Sequence, residues 1–128
     1  MLKQISCALF KEGDTPRPPI QFHQGLNTIL GAVRGEAGSI GKSTMMLIID
    51  FVFGGSTYVD SDAVRELPEH AINFTFEFDG ASYNFVRRPH EPKVVVNIDA
   101  DGSVLKTLEL KEFTDWLLSL IHISEPTR

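Results

Sequence analysis

Hydrophobic and polar positions alternate most cleanly between residues 72 and 88. Ile72, Phe74, Phe76 and Phe78 fall on one side of the alternation, and Asn73, Thr75 and Glu77 on the other. A period of two marks a strand with one buried face. Asp79-Gly80 interrupts the pattern and Ala81 to Arg88 resumes it. An Asp-Gly pair between two such runs predicts a two-residue hairpin turn. In that register Phe78 faces Ala81, Phe76 faces Tyr83 and Phe74 faces Phe85, all on the buried face. Pro89 and Pro92 break the chain. Val94–Ile98 and Val104–Leu108 predict a second hairpin around residues 99–103. Phe113, Trp116, Leu117, Leu120 and Ile121 then recur at helical spacing. They predict an amphipathic helix over 110–121, with Phe113, Trp116 and Leu120 inward.

The first half of the chain is less regular. Residues 2–10 read as a strand, with Leu2, Ile5, Leu9 and Phe10 apolar. Residues 12–19 (EGDTPRPP) are turn-forming, because Pro fixes φ and Gly and Asp tolerate tight bends. Two short β segments follow, Ile20–His23 and Asn27–Leu30. Residues 31–41 hold four glycines and suit no regular element. A helix is predicted from Lys42 to about Phe53. Gly54-Gly55 ends it, since glycine accepts the left-handed conformation beyond a helix C-terminus. Residues 56–70 are polar and irregular, with room for one short helix.

Composition narrows the picture only a little. A chain of 128 residues with 42% apolar residues suits one domain with a modest core. Twelve basic and 17 acidic residues, a formal charge of −5, give no support for direct nucleic-acid binding. Cys7 is the only cysteine, which excludes an internal disulfide and fits a small buried residue in a reducing compartment. Met1 is followed by a mixed strand-like segment rather than a secretory signal. The longest apolar stretch, Met45 to Phe53, contains Asp50 and is too short to span a bilayer. The expected setting is the cytoplasm, with no membrane partner. The four histidines, at 23, 70, 90 and 122, lack metal-ligand spacing.

The strongest chemical signal is Gly41-Lys42-Ser43-Thr44. A phosphate loop needs glycines, so that backbone N–H groups converge on phosphate oxygens without a Cβ in the way. It needs a helix N-terminus, which adds partial positive charge. It also needs a lysine for the β- and γ-phosphates and a following hydroxyl for Mg²⁺. Here a β segment, a glycine-bearing loop, the tetrapeptide and an apolar helix follow in that order. One position departs from the strict pattern: its first glycine falls at Glu36, with Gly35 one place early and Gly38 two late. Glu36 repels a triphosphate unless it turns outward or meets a cation such as Arg34.

Residues 25–31 (GLNTILG), 39–44 (SIGKST) and 48–55 (IIDFVFGG) together resemble the start of SMC/RecN/RecF-like ABC-type ATPases, an AAA-type P-loop group. The likeness is closest to a bacterial coiled-coil branch and is most specific over residues 25–55. It implies an α/β fold: a P-loop NTPase N-terminal lobe with a largely antiparallel sheet around the P-loop helix and a C-terminal amphipathic helix. It implies ATP and Mg²⁺ as cofactors. Lys42 then holds the β- and γ-phosphates, Ser43 ligates Mg²⁺, and Gly41 and Thr44 contact phosphate through backbone N–H groups. Gly38 shapes the loop, where the group often has asparagine. The Walker B acid, the catalytic Glu and the signature motif belong to a C-terminal lobe of the parent chain. A head-to-head homodimer and action on DNA are further implications. On this reading residues 1–121 form the lobe. The tail 122–128 (HISEPTR) resembles translated adapter sequence and is read as non-native.

Three stretches imitate other parts of an ATPase. Leu47-Ile48-Ile49-Asp50 looks like Walker B but lies on the helix after the loop, so Asp50 is read as a partly exposed helix residue. The run Val94 to Asp99 looks like Walker B but enters a hairpin turn. Phe53-Gly54-Gly55-Ser56 faintly resembles the signature motif and is better explained as a helix cap. No catalytic residue is assigned, and the chain alone is expected not to hydrolyse ATP. Arg87-Arg88 is read as a solvated strand end, with a nucleotide or DNA contact as the alternative. Two other functions compete: a P-loop kinase or GTPase, and a non-enzymatic interaction domain with an incidental glycine loop. The antiparallel hairpins argue against the first.

Overall fold

The computed structural model describes residues 1–7, 11–12, 15–16, 20–21, 42–66 and 68–124. The strands are β1 (Leu2–Ser6), β2 (Lys11–Glu12), β3 (Thr15–Pro16), β4 (Ile20–Gln21), β5 (Ile72–Phe78), β6 (Ala81–Arg88), β7 (Glu91–Ile98) and β8 (Val104–Glu109). The helices are α1 (Lys42–Val52), α2 (Asp62–Glu66) and α3 (Leu110–Ser124). Six strands form one sheet in the order β4-β1-β5-β6-β7-β8, and β2 pairs with β3 apart from it.

Turn chemistry fixes this topology. Asp79 and Gly80 have φ of 51° and 80°, the doubly positive geometry of a tight hairpin turn. The β5–β6 register pairs Phe78 with Ala81, Phe76 with Tyr83 and Phe74 with Phe85, as the alternation requires. Pro89-His90 alone joins β6 to β7. In the β7–β8 turn the Asp99 carboxylate accepts the amides of Asp101 and Ser103, each at 2.9 Å. Asp99 is therefore a turn residue, and the acid-ended run before it is an ordinary hairpin strand.

The expected α/β nucleotide-binding lobe is not what these residues form. All the ladders between described strands are antiparallel. An α/β nucleotide-binding lobe is built on parallel strands, whose crossovers need a dozen or more residues. The two-residue connections between β5, β6 and β7 leave no room for such crossovers. The described architecture is a mostly antiparallel sheet with helices on one face, not a P-loop NTPase lobe. The expected strand Asn27–Leu30 and the glycine loop lie outside the described residues.

The core lies between the sheet and the helices. Ile72, Phe74, Phe76, Phe78, Phe85 and Val95 from the sheet meet Met45, Ile48, Phe51 and Val52 of α1 and Phe113 and Leu117 of α3, all buried. Non-directional burial of this kind stabilises by about 1.5–3 kcal/mol per large side chain. Phe113 ties α3 to the aromatic cluster of the sheet, 5.1 Å from Phe85 and 5.9 Å from Phe74 between ring centroids. The inward stripe of α3 is centred on Phe113 and Leu117, with Trp116 and Leu120 half-buried at its margin. The helix also runs to Ser124, past the expected end at 121.

Candidate functional site

α1 carries the predicted phosphate chemistry at its N-terminus. It begins at Lys42 and runs for 11 residues, because Met45, Ile48, Phe51 and Val52 form one apolar stripe against the core. The first N–H groups of a helix have no intrahelical acceptor. No acidic residue stands in the first turn to neutralise that end. Ser43 is exposed and Thr44 half-buried there. Lys42, Ser43 and Thr44 thus share one helix end, and the side chain of Lys42 lies outside the described residues. Gly38 and Gly41 lie outside them as well.

The other end of α1 is closely tied down. Gly54, at φ 104°, takes the positive-φ cap position. The amides of Phe53 and Gly55 reach the Asp50 carbonyl at 3.1 and 2.9 Å. The exposed Asp50 carboxylate accepts the Thr57 hydroxyl at 2.8 Å, and a Cβ on Gly55 would run into that carboxylate. Asp50 is a helix-cap residue, and the Gly54-Gly55 pair serves the cap, as the sequence implies.

Arg87 was misread from sequence. It is neither a solvated strand end nor a contact for nucleotide or DNA, being only 1% exposed. Its Nη1 donates to the carbonyls of Phe51 and Gly55, and its Nε to the carbonyl of Pro92, all at 2.8 Å. The guanidinium carbon sits 4.1 Å above the centre of the Phe51 ring. Burial pulls its pKa down to about 10, opposed by the charge of Asp50, so the group stays cationic at neutral pH. A cation at a helix C-terminus complements the helix dipole, and three carbonyls replace the lost water. Arg88, its neighbour, is exposed.

A second buried polar pair links residues that carried no signal in the sequence. Tyr58 is fully buried, with its hydroxyl 2.8 Å from Nε2 of His70. His70 Nδ1 lies 2.8 Å from the Pro68 carbonyl. A carbonyl only accepts, so in the neutral ring Nδ1 carries the proton and Nε2 accepts from Tyr58. Burial pushes the Tyr58 hydroxyl up to about 12. Both nitrogens are thereby engaged in structure.

Concavities lie elsewhere among the described residues, two of them lined by sheet residues. A groove of about 450 Å³ on the face opposite the helices is lined by Gln4, Asn73, Thr75 and Asn84 among others. Its amides and hydroxyls pair partly with each other, Thr75 Oγ1 donating to Asn84 Oδ1 at 2.7 Å. A recess of about 290 Å³ beside Trp116 is lined by Tyr83, Phe85 and Leu108, with Lys106 and Glu112 at its edge. Neither includes a residue singled out by the sequence motifs for phosphate chemistry.

Among the described residues no three His, Cys, Asp or Glu side chains converge as a metal site. Among the same residues no helix is long and apolar enough to cross a membrane. Comparison with protein-family models, with curated proteins and with solved structures found no match to this chain.

Proposed function

We propose that Gly41-Lys42-Ser43-Thr44 binds the β- and γ-phosphates of ATP, with Mg²⁺ at the Ser43 hydroxyl and with Gly38 shaping the loop. The observation that carries the reading is the start of α1 at Lys42, with an exposed Ser43 and no acidic residue in the first turn. Unpaired N–H groups, the positive end of the helix dipole and a lysine at one point form an anion-binding arrangement. The reading rests on the motif and its helix; the antiparallel sheet adds nothing to it.

In its wider form, drawn from the resemblance to SMC/RecN-like ATPases, the chain supplies phosphate binding to a larger cytoplasmic ATPase. A further lobe and a second head then supply hydrolysis. No turnover is expected from this chain. Asp50 is engaged in the helix cap and Asp99 in a turn, so neither is placed to orient a water on the γ-phosphate. Calorimetric titration with ATP and with AMP, in the presence and absence of Mg²⁺, tests the proposal. ATP binding tighter than AMP, with a Mg²⁺ dependence lost in Ser43→Ala, supports it. Equal affinity for the two nucleotides contradicts it.

A further inference from the structure

We propose that the recess beside Trp116 binds a small molecule, a single-ring aromatic carboxylate, at a site separate from the helix end assigned to phosphate. The register of the sheet builds its floor. Phe85 lies opposite Asn97, and Asn97 opposite Lys106, so the three stand in one row across β6, β7 and β8 on the face that meets the helices. Along that row a buried aromatic gives way to a half-buried amide and then to an exposed cation. Tyr83 and Leu108 flank the row, each two residues along its own strand and so on the same face. α3 supplies the roof, because Glu112 and Trp116 are four residues apart on one side of the helix and both line the recess. The Trp116 ring is inclined at 72° to Tyr83 and 64° to Phe85, with centroids 5.1 Å from each. Steeply inclined aromatic planes form a corner, in which a planar ligand ring stacks on one and meets the other edge-on. That corner is open: Tyr83 and Trp116 keep part of their surface in water, whereas Phe74, Phe76, Phe85 and Phe113 are buried. Its volume, about 290 Å³, lies at the small end of ligand sites and suits one ring.

Charge selects the polar end of the ligand. Two ionised side chains stand at the edge of the recess. The Glu112 carboxylate is engaged, accepting the Glu109 amide at 3.1 Å in the manner of a capping box, and the positive end of the α3 dipole offsets its charge. Lys106 has no carboxylate within ion-pair distance among the described residues. The unbalanced charge at the edge is therefore positive. A ligand cation, which the aromatic faces alone would attract, meets Lys106; a carboxylate beside the ring pairs with it.

Trp116 is the only tryptophan, so its fluorescence reports on the recess directly. The full chain is titrated at neutral pH with phenylacetate, phenylethanol and phenethylamine, which share a ring and differ in charge, with excitation where a phenyl ring does not absorb. A saturable change is expected with phenylacetate, at an affinity about three- to five-fold tighter than for phenylethanol, the scale of an exposed ion pair. Phenethylamine should bind more weakly than either. Lys106→Gln should bring phenylacetate down to the affinity of phenylethanol and leave phenylethanol unchanged. Tyr83→Ala removes one side of the corner and should weaken the acid and the alcohol alike, by about two- to ten-fold. No saturable change with any of the three ligands overturns the proposal. So does phenethylamine binding as tightly as phenylacetate, a preference for the acid that survives Lys106→Gln, or unchanged affinities in a folded Tyr83→Ala. If Tyr83→Ala does not fold by circular dichroism, Lys106→Gln decides alone, since Lys106 is exposed on the last strand of the sheet.

Discussion

Ile72 lies directly opposite Arg87 in the β5–β6 ladder, and the aliphatic side chain and the cation are both essentially buried. A sheet face made for apolar packing thus holds a guanidinium in its last position. Three carbonyl acceptors and the face of Phe51 offset the loss of water around it. Every described buried side-chain polar atom has a partner.

Arg87→Met keeps much of the volume and removes all three donors. The carbonyls of Phe51, Gly55 and Pro92 then compete for none, at about 1–3 kcal/mol for each buried acceptor left unpaired. Denaturant unfolding is expected to show a loss of about 3 kcal/mol or more. A loss under about 1 kcal/mol would mean that the carbonyls find other partners and that the clamp matters little.

Tyr58 makes stability depend on pH in the alkaline range. Its folded-state pKa, about 12, lies above the value of about 10 for an unfolded tyrosine. The folded state therefore holds a proton that the unfolded state releases between those values. The corresponding stability is fully present below about pH 10 and is lost as pH rises towards 12, on the order of 2–3 kcal/mol at most. Tyr58→Phe is expected to remove that decline, leaving the opposite slope that Arg87, with its lowered pKa of about 10, contributes over the same interval, and to abolish the late step in tyrosinate absorbance. A late step that survives in Tyr58→Phe would assign it to another group.

The aromatic cluster separates two neighbouring positions on α3. Phe113 is fully buried and touches Phe74, Phe76 and Phe85, so Phe113→Ala should cost about 3–5 kcal/mol. Trp116 is half-buried against Phe78, Tyr83 and Phe85. Trp116→Ala should cost less, about 2 kcal/mol, since part of its surface already meets water. Chemical denaturation of both variants checks the order, and a larger loss for Trp116 would move the centre of the stripe towards it.

The C-terminal half was legible because its signals are local. Asp79-Gly80 and the alternation on either side specify a register with a single solution, and α3 follows from spacing alone. The same register, carried six residues on from Phe78 and Ala81, already placed Arg87 on the buried face. The charge of the side chain outweighed that geometry, because a buried cation is understood only when its acceptors are known. Those acceptors belong to Phe51 and Gly55, more than thirty residues earlier in the chain. Tyr58 and His70 were invisible for a similar reason, since their pairing depends on how an irregular segment folds back. The α/β class failed because a phosphate-loop motif outweighed the antiparallel hairpins already legible beside it, whereas a nucleotide-binding lobe is built on parallel strands that such short turns do not allow.

The phosphate-binding proposal turns most directly on the affinity of Lys42→Ala for ATP. A charge-assisted contact to phosphate contributes roughly 1.5–3 kcal/mol. Titration calorimetry is therefore expected to show ATP binding weakened by about 10- to 150-fold, with AMP affinity little changed because AMP lacks the β- and γ-phosphates. ATP binding by Lys42→Ala as tight as the parent's would contradict the proposal.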